Sequence, residues 1–348
     1  MIQKGLLQQI LDNQKRAQHT LTLEDMGITP MLVQQIYDWA RDYAADGALA
    51  DYIPELSRVD STRTAIVVGD LLGNQIGVGN GLDIKVSIQS VIKPFLYIFA
   101  LEQGIAPRDI SYIEPTAMHF NTDAVLDPES HRRVPGHPLN NAGAISSAGA
   151  IRYWEEFLAF MRMLTGNQEL AIMDDVYCSE MATNANNRAI AMRLVATGRF
   201  NTIADGETAL DYYTRACSIG VTPREITTAC VVLARGGILG GKHLVNENNV
   251  VRAMNAMNSF GLYEQTGEIS LLAAGVRALS CKSGVGGLII NIDPGRGAFC
   301  TYGPKLDRAG NSIFGKYALI PLNNVLASPY AMKLTADEII RSISHYQE

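Results

Sequence analysis

Apolar and polar positions change period several times along this chain. Residues 3–18 place apolar or small side chains at Leu6, Leu7, Ile10, Leu11 and Ala17 with polar residues between them, the spacing of a surface helix. The run Thr22-Leu23-Glu24-Asp25, followed by Pro30, marks a turn or helix start, and 30–43 reads as a second helix. Residues 64–69 are β-branched and apolar and predict a strand, with 74–79 as its hairpin partner. The apolar run 91–101 is too long for a typical strand and predicts a buried helix, with Pro94 near its start, where proline costs least. From about 105 to 235 the pattern is helical with long loops. Helices are predicted over 154–164, ended by Gly166-Asn167, over 187–195, followed by Gly198, and over 223–235, closed by Gly236-Gly237. Strands return at 286–292 and 297–302, joined by the turn signal Asp293-Pro294-Gly295-Arg296, and helical segments follow at 316–327 and 335–345.

The order strands, helices, strands, helix predicts an α+β architecture in which a sheet built from both ends of the chain encloses a helical insertion. The boundaries expected are 1–47 for an N-terminal helical extension, 48–95 together with 236–327 for an α/β sheet domain, 96–235 for a helical domain, and 328–348 for a helical tail. A length of 348 residues suits such a two-part fold, and 47% apolar with 18% charged residues suits a sizeable core. The helix that opens at Ser90 falls where the two parts meet, and clefts at such junctions are common ligand sites.

Charge and cysteine usage narrow the function classes. The net charge of −6, with no clustered Lys/Arg stripe, argues against a nucleic-acid partner. Five scattered cysteines without a C-x-x-C pair fit a reduced, cytoplasmic setting. The N-terminal run lacks the apolar core of a secretory leader, and no apolar stretch is long enough to span a bilayer. The six histidines show no close metal-ligand spacing, and neither a Walker A loop nor a dinucleotide fingerprint occurs, so neither metal nor cofactor is expected.

Ser90-Val91-Ile92-Lys93 carries the chemistry. On a helix, positions i and i+3 share a face, so an amine stands beside a hydroxyl. Lys93 is embedded in Val91-Ile92-Lys93-Pro94-Phe95-Leu96, and burial lowers a lysine's pKa until it can act as a base. A second element, Lys282-Ser283-Gly284, precedes a strand expected to begin at Val285-Gly286-Gly287, whose glycines would let a backbone N–H approach a ligand. Read singly, each feature also has a bland account: a helix-start serine, a surface lysine, an ordinary turn. Together they resemble the serine–lysine machinery of penicillin-recognising enzymes and their relatives.

The resemblance sharpens over a longer series of blocks: Ala50-Asp51-Tyr52-Ile53-Pro54; Ser87 through Phe95; Glu114-Pro115 with Phe120-Asn121; Asn141-Ala142-Gly143-Ala144-Ile145; Ser179-Glu180 with Asn187; Leu210-Asp211-Tyr212-Tyr213 with Cys217-Ser218; Gly261-Leu262-Tyr263; Lys282-Ser283-Gly284-Val285; and Pro304-Lys305-Leu306-Asp307 with Gly310-Asn311-Ser312. In this order, over about residues 48–327, the chain resembles the bacterial-type, serine-dependent glutaminases. That resemblance implies a β-lactamase-like fold, hydrolysis of L-glutamine to L-glutamate and ammonia, and a homo-oligomer, dimer or tetramer. It implies Ser90 as nucleophile, Lys93 as base and Tyr263 as proton carrier, with a γ-glutamyl ester on Ser90 as intermediate. The backbone N–H groups of Ser90 and Val285 would form the oxyanion hole, and Tyr52, Asn141, Glu180, Asn187 and Tyr213 match substrate-binding positions. Glu180 suits an ammonium, while asparagine amides and tyrosine hydroxyls suit a carboxylate or amide. Departures from the family pattern fall at Ala117, at Asn184-Ala185-Asn186, at Ser280-Cys281 and at Gly79-Asn80, and none removes a matched catalytic residue. The readings set beside it are a β-lactamase or transpeptidase, for which the S-D-N or S-x-N triplet is missing, and a glutamine-binding paralogue without turnover.

Overall fold

The computed structural model describes residues 20–44, 46–111, 125–126, 133–273 and 279–326. The helices expected at 3–18 and 335–345, the block Glu114-Pro115 with Phe120-Asn121, and Ala117 lie outside the described residues.

Five strands form one antiparallel sheet: β1 (Ala65–Asp70), β2 (Gln75–Gly79), then, after the helical part of the chain, β5 (Ser280–Ser283), β6 (Leu288–Asp293) and β7 (Gly297–Tyr302). Their order across the sheet is β2-β1-β7-β6-β5, so the early strand β1 is held between its hairpin partner and the late strand β7. The turn predicted at 293–296 closes the β6–β7 hairpin: Asp293 pairs with Gly297, Gly295 adopts φ +76°, and the Arg296 N–H donates to the Asp293 carbonyl at 3.1 Å. A two-stranded pair, β3 (Val86–Ser87) with β4 (Gly220–Val221), ties the entry of the serine helix to the exit of the helical region.

The sheet is buried on both faces, which explains why β1 reads as an unbroken apolar run instead of an alternating one. Side chains still alternate. Ile66, Val68, Ile289 and Phe299 enter a core with Val33 and Ile36 of helix α1 (Pro30–Tyr43) and Phe314 and Tyr317 of helix α10 (Ile313–Leu326). Ala65, Leu288, Ile290, Ile292 and Cys300 face the larger core shared with the helices that run from residue 93 to 260.

Those helices are α2 (Lys93–Glu102), α3 (Asn141–Ala148), α4 (Trp154–Thr165), α5 (Asp174–Thr183), α6 (Ala185–Ala196), α7 (Ile203–Cys217), α8 (Pro223–Ala234) and α9 (Glu247–Phe260). Helix α8 starts with a capping box, the Thr222 hydroxyl accepting from the Glu225 N–H and the Glu225 carboxylate accepting from the Thr222 N–H. It lies at the boundary, touching both the sheet and α4. Helix α2 is apolar on every side and all but its last residue is buried, with α3 on one side and α9 on another. The amine of Lys93 is thereby carried into the interior.

Two boundaries differ from the sequence reading. The strand expected from 286 starts at Leu288, and Lys282-Ser283 belong to strand β5 itself, at the sheet edge, instead of preceding a strand. Residues 284–287 form the turn between β5 and β6, in which the Gly287 N–H donates to the Gly284 carbonyl at 2.9 Å.

Candidate active site

The serine helix begins as a single 3-10 turn, Gln89–Ile92, that runs into α2. In a 3-10 turn positions i and i+3 eclipse, which places Lys93 on the face of Ser90. The Lys93 backbone N–H donates to the Ser90 carbonyl. Gln89, just before the serine, has φ +48°. The other non-glycine residue with positive φ among those described is Tyr263, at φ +56°. Both flank Ser90, and strained backbone of this kind persists where the surroundings over-determine it. For Tyr263 they do: the Thr266 hydroxyl donates to its carbonyl at 2.7 Å and accepts from the Leu262 N–H at 2.9 Å.

Lys93 is fully buried, and its Nζ donates to Asn141 Oδ1 at 2.6 Å. Burial pushes its pKa down to about 8, with the nearby Cys217 and Glu180 pulling the other way. A neutral amide as acceptor orients the amine and stabilises its cation less than a carboxylate in the same place would, so the desolvation is not offset by an ion pair. Asn141, the first residue of α3, also accepts from the Tyr213 hydroxyl at 3.2 Å, and its Nδ2 donates to Asn187 Oδ1 at 2.9 Å. The Tyr263 hydroxyl shares a hydrogen bond with Ser90 and donates to the Ser283 carbonyl at 3.2 Å.

In front of Ser90 lies a cavity of about 280 Å³. Of the residues expected from the sequence, Tyr52, Ser90, Asn141, Glu180, Asn187, Tyr213 and Val285 line it, while Lys93 and Tyr263 stand behind its wall in contact with lining residues. Glu180 is buried, and burial pushes its carboxyl up to about 7 against the pull of the Gln89 amide and of Lys93. Tyr52 is half exposed and sits at the rim. Asn184 and Asn186, where the chain departs from the family pattern, also line the cavity, at the junction of α5 and α6.

The turn after β5 reaches Ser90 because its glycines are bare. A Cβ on Gly286 would meet the Ser87 carbonyl at 2.3 Å, and one on Gly284 would meet the Ile88 carbonyl at 3.0 Å and the Val91 nitrogen at 3.2 Å. Between them, Val285 faces the cavity, and its N–H finds no acceptor among the described residues. An unpaired N–H beside a serine hydroxyl is what an oxyanion hole requires.

Two residues had no catalytic or binding role assigned from the sequence. Gln89 lines the cavity, and its Nε2 donates to Glu180 Oε2 at 3.3 Å and to Ser87 Oγ at 2.8 Å. Its place beside Ser90 was visible, but its strained backbone and its reach to Glu180 were not. Lys282 is fully buried, donates to the Gly261 and Ser283 carbonyls at 3.3 and 2.6 Å, and lies 4.5 Å from the centre of the Tyr263 ring. Burial, with repulsion from Lys93 added, pushes it well below the ordinary lysine range. Its motif was visible in the sequence, and the structure places its amine on the same Ser283 carbonyl that accepts from the Tyr263 hydroxyl. Among the described residues no group of three or more His, Cys, Asp or Glu could hold a metal ion.

Comparison with known proteins agrees with this geometry. The family model described as glutaminase matches residues 47–328. A glutaminase of Colwellia psychrerythraea is 35% identical over 284 residues, which cover 78% of this chain and 88% of that one. Among solved structures, the probable glutaminase ybaS is 32% identical with a TM-score of 0.75, over 85% of this chain and 96% of that one. A probable glutaminase from Bacillus subtilis complexed with 6-diazo-5-oxo-L-norleucine is 26% identical with a TM-score of 0.70, over 83% and 93% of the two chains. These neighbours have the β-lactamase-like α+β fold that the sequence resemblance implied. By the family model and by identity across most of its length, the chain belongs to the glutaminase family.

Proposed function

We propose that this protein hydrolyses L-glutamine to L-glutamate and ammonia through an acyl-enzyme on Ser90. The observation that carries the reading is the buried Lys93 amine, held by the Asn141 carbonyl oxygen beside a serine that opens onto a cavity lined by Glu180. Glu180 receives the substrate ammonium, and the amides of Asn141 and Asn187 with the hydroxyl of Tyr52 receive its carboxylate, while the Tyr213 hydroxyl lines the site and donates to Asn141. Lys93 takes the Ser90 proton as Oγ adds to the side-chain amide carbon. The developing oxyanion is met by the N–H groups of Ser90 and Val285, a preorganised arrangement worth ~2.7–4 kcal/mol per donor in comparable sites. Tyr263 is kept protonated by burial, and it carries the proton toward the amide nitrogen, which leaves as ammonia. Water then adds to the γ-glutamyl ester, gives its proton to Lys93, and glutamate departs as Ser90 regains its hydrogen.

The ligand of the Bacillus subtilis neighbour supports the substrate class, since 6-diazo-5-oxo-L-norleucine presents an amino-acid head and a ketone at the position of glutamine's amide carbonyl. The same reading carries a homo-oligomer and a cytoplasmic setting, the second supported by five cysteines that are all free. No helix among the described residues is long and apolar enough to cross a membrane. The test is ammonia release from glutamine by the parent protein and by Ser90→Ala, with mass spectrometry after exposure to 6-diazo-5-oxo-L-norleucine. Activity is expected to fall by at least about 10³-fold in a folded variant, with the label on Ser90 of the parent. Turnover retained in Ser90→Ala, or labelling elsewhere, would overturn the nucleophile assignment.

A further inference from the structure

Helix α5 carries Glu180 to the cavity, yet little apolar surface seats it: its buried residues are Val176 and Glu180 itself. Its start is fixed by backbone. The Met173 N–H donates to the Ser218 carbonyl at 2.8 Å, and the Gly220 N–H donates to the Ala171 carbonyl at 3.0 Å, both partners lying just past the end of α7. One turn further along, and three residues before Glu180, stands Tyr177. Its hydroxyl donates to Asp211 Oδ1 on α7. The other carboxylate oxygen of Asp211 accepts at 2.7 Å from Arg215 Nε, four residues on in the same helix. The Arg215 guanidinium lies 5.2 Å from the centre of the Tyr177 ring and 6.0 Å from that of Trp154, the first residue of α4. Tyr177, Asp211 and Arg215 are not among the residues that line the cavity.

The arrangement is more than a surface ion pair. Asp211 and Arg215 side chains are 28% and 33% exposed, and an isolated pair at that exposure adds little. Here both oxygens of one carboxylate are engaged, one from α5 and one from α7, and a hydroxyl bonded to an ionised oxygen is held about twice as strongly as one bonded to a neutral oxygen. A helix rises about 1.5 Å per residue, so Tyr177 grips α5 about 4.5 Å along the axis from Glu180. With Val176 as its buried apolar side chain, α5 needs that grip against rolling on α7, and a roll would swing Glu180 away from Gln89 Nε2 and out of the cavity wall.

We propose that Tyr177 and Asp211 are positioning residues whose hydrogen bond clamps α5 onto α7 and so sets the Glu180 carboxylate where the substrate ammonium binds. This rests on the glutaminase reading, with Glu180 as ammonium receptor. Such a clamp acts on binding and not on the chemical step, so it changes KM and leaves kcat. It also acts through Glu180, so its effect disappears when that carboxylate is gone.

The experiment is steady-state ammonia release from glutamine by the parent, Tyr177→Phe, Asp211→Ala and Glu180→Gln, and by the first two substitutions each combined with Glu180→Gln, every protein checked for a cooperative thermal transition. Tyr177→Phe and Asp211→Ala are each expected to raise KM about three- to tenfold with kcat within about twofold, the size of one lost hydrogen bond. Added to Glu180→Gln, either is expected to change KM by less than about twofold. An unchanged KM in the single variants, a fall in kcat in place of the rise in KM, or the same rise in KM in both backgrounds would overturn the inference. Should one of the two substitutions prevent a cooperative melt, the other decides by the same readings. Should both prevent it, the bond serves folding instead of the site, and the inference is overturned. A parent that releases no ammonia overturns the glutaminase reading and this inference with it. An active parent whose Tyr177 and Asp211 variants keep the parent KM overturns this inference alone.

Discussion

Lys93 and Lys316 are buried to nearly the same degree, at 0% and 2% exposure, and each stands in an apolar helix, yet their surroundings differ in one respect. Lys316 Nζ is paired with the Asp307 carboxylate and also donates to Gln265 Oε1 at 3.3 Å. Lys93 donates to the neutral amide oxygen of Asn141, and among the described residues no carboxylate forms an ion pair with it. The carboxylate in contact ties Lys316 into a buried ion pair, a strut between α10 and the loop before it. An amide in contact offsets less of the desolvation, which pulls the Lys93 pKa toward neutrality. The two buried lysines therefore have partners of different charge, a carboxylate at Lys316 and an amide at Lys93.

Replacing each lysine with methionine, similar in length and uncharged, separates the two roles. Lys93→Met is expected to lower kcat by about 10²–10⁴-fold, the usual weight of general base catalysis, with the midpoint of urea unfolding unchanged or raised. Lys316→Met strands Asp307 in the interior and is expected to cost about 3–5 kcal/mol of stability, with kcat per folded molecule within about twofold of the parent. Urea titration and active-site titration on both variants check the pair. If Lys93→Met unfolded while Lys316→Met lost turnover, the comparison would be reversed.

The amino-acid sequence shows both lysines in apolar company and does not tell them apart. Asp307 lies nine positions from Lys316, and Asn141 lies 48 positions from Lys93, so the deciding partners come from tertiary packing. The same distinction runs through the rest of the molecule. The strand at 65–70, its hairpin partner and the β6–β7 turn were legible because they are local patterns with their own turn chemistry. Ser90 and Lys93 were legible because their spacing is itself the geometry. Helix α5 was not, since Val176 and Glu180 are its only buried residues among those described and give no periodic stripe. Helix α7 was also passed over, although Thr202 and Asp205 form a capping box that the sequence displays. Strand β5 was not legible and β6 was placed to start early, because glycines at 284, 286 and 287 look like the start of a strand that approaches a ligand. They instead let a turn approach the serine.

Glu180 is the counterpart test on the acidic side, a buried carboxyl whose fixed neighbour is an amide, as with Lys93. Glu180→Gln is expected to raise KM for glutamine by about 10–100-fold with a much smaller change in kcat, the range of a hydrogen bond between charged groups. Saturation kinetics with glutamine check it. A fall in kcat at unchanged KM would move Glu180 from binding to chemistry.

The smallest expected effect, and the one that reads Lys93 most directly, is on pH dependence. Lys93, with its pKa near 8, is a base only when deprotonated, so activity rises with pH through that value. Glu180, near 7, binds an ammonium only when ionised, so it too is lost as pH falls. Both limbs are therefore on the acidic side. The logarithm of kcat/KM should climb with a slope of about two below pH 7, about one between 7 and 8, and then level off. Cys217, Tyr213 and Tyr263 are pushed up by burial and stay protonated through this window, and His137, pushed down to about 3, stays neutral. In Glu180→Gln the steeper part should disappear while the limb near 8 remains, because that limb belongs to Lys93. Lys316→Met should trace the parent profile, since its amine faces a carboxylate and takes no part in proton transfer. A limb near 8 that vanished with Lys316 would assign the base to the wrong buried lysine.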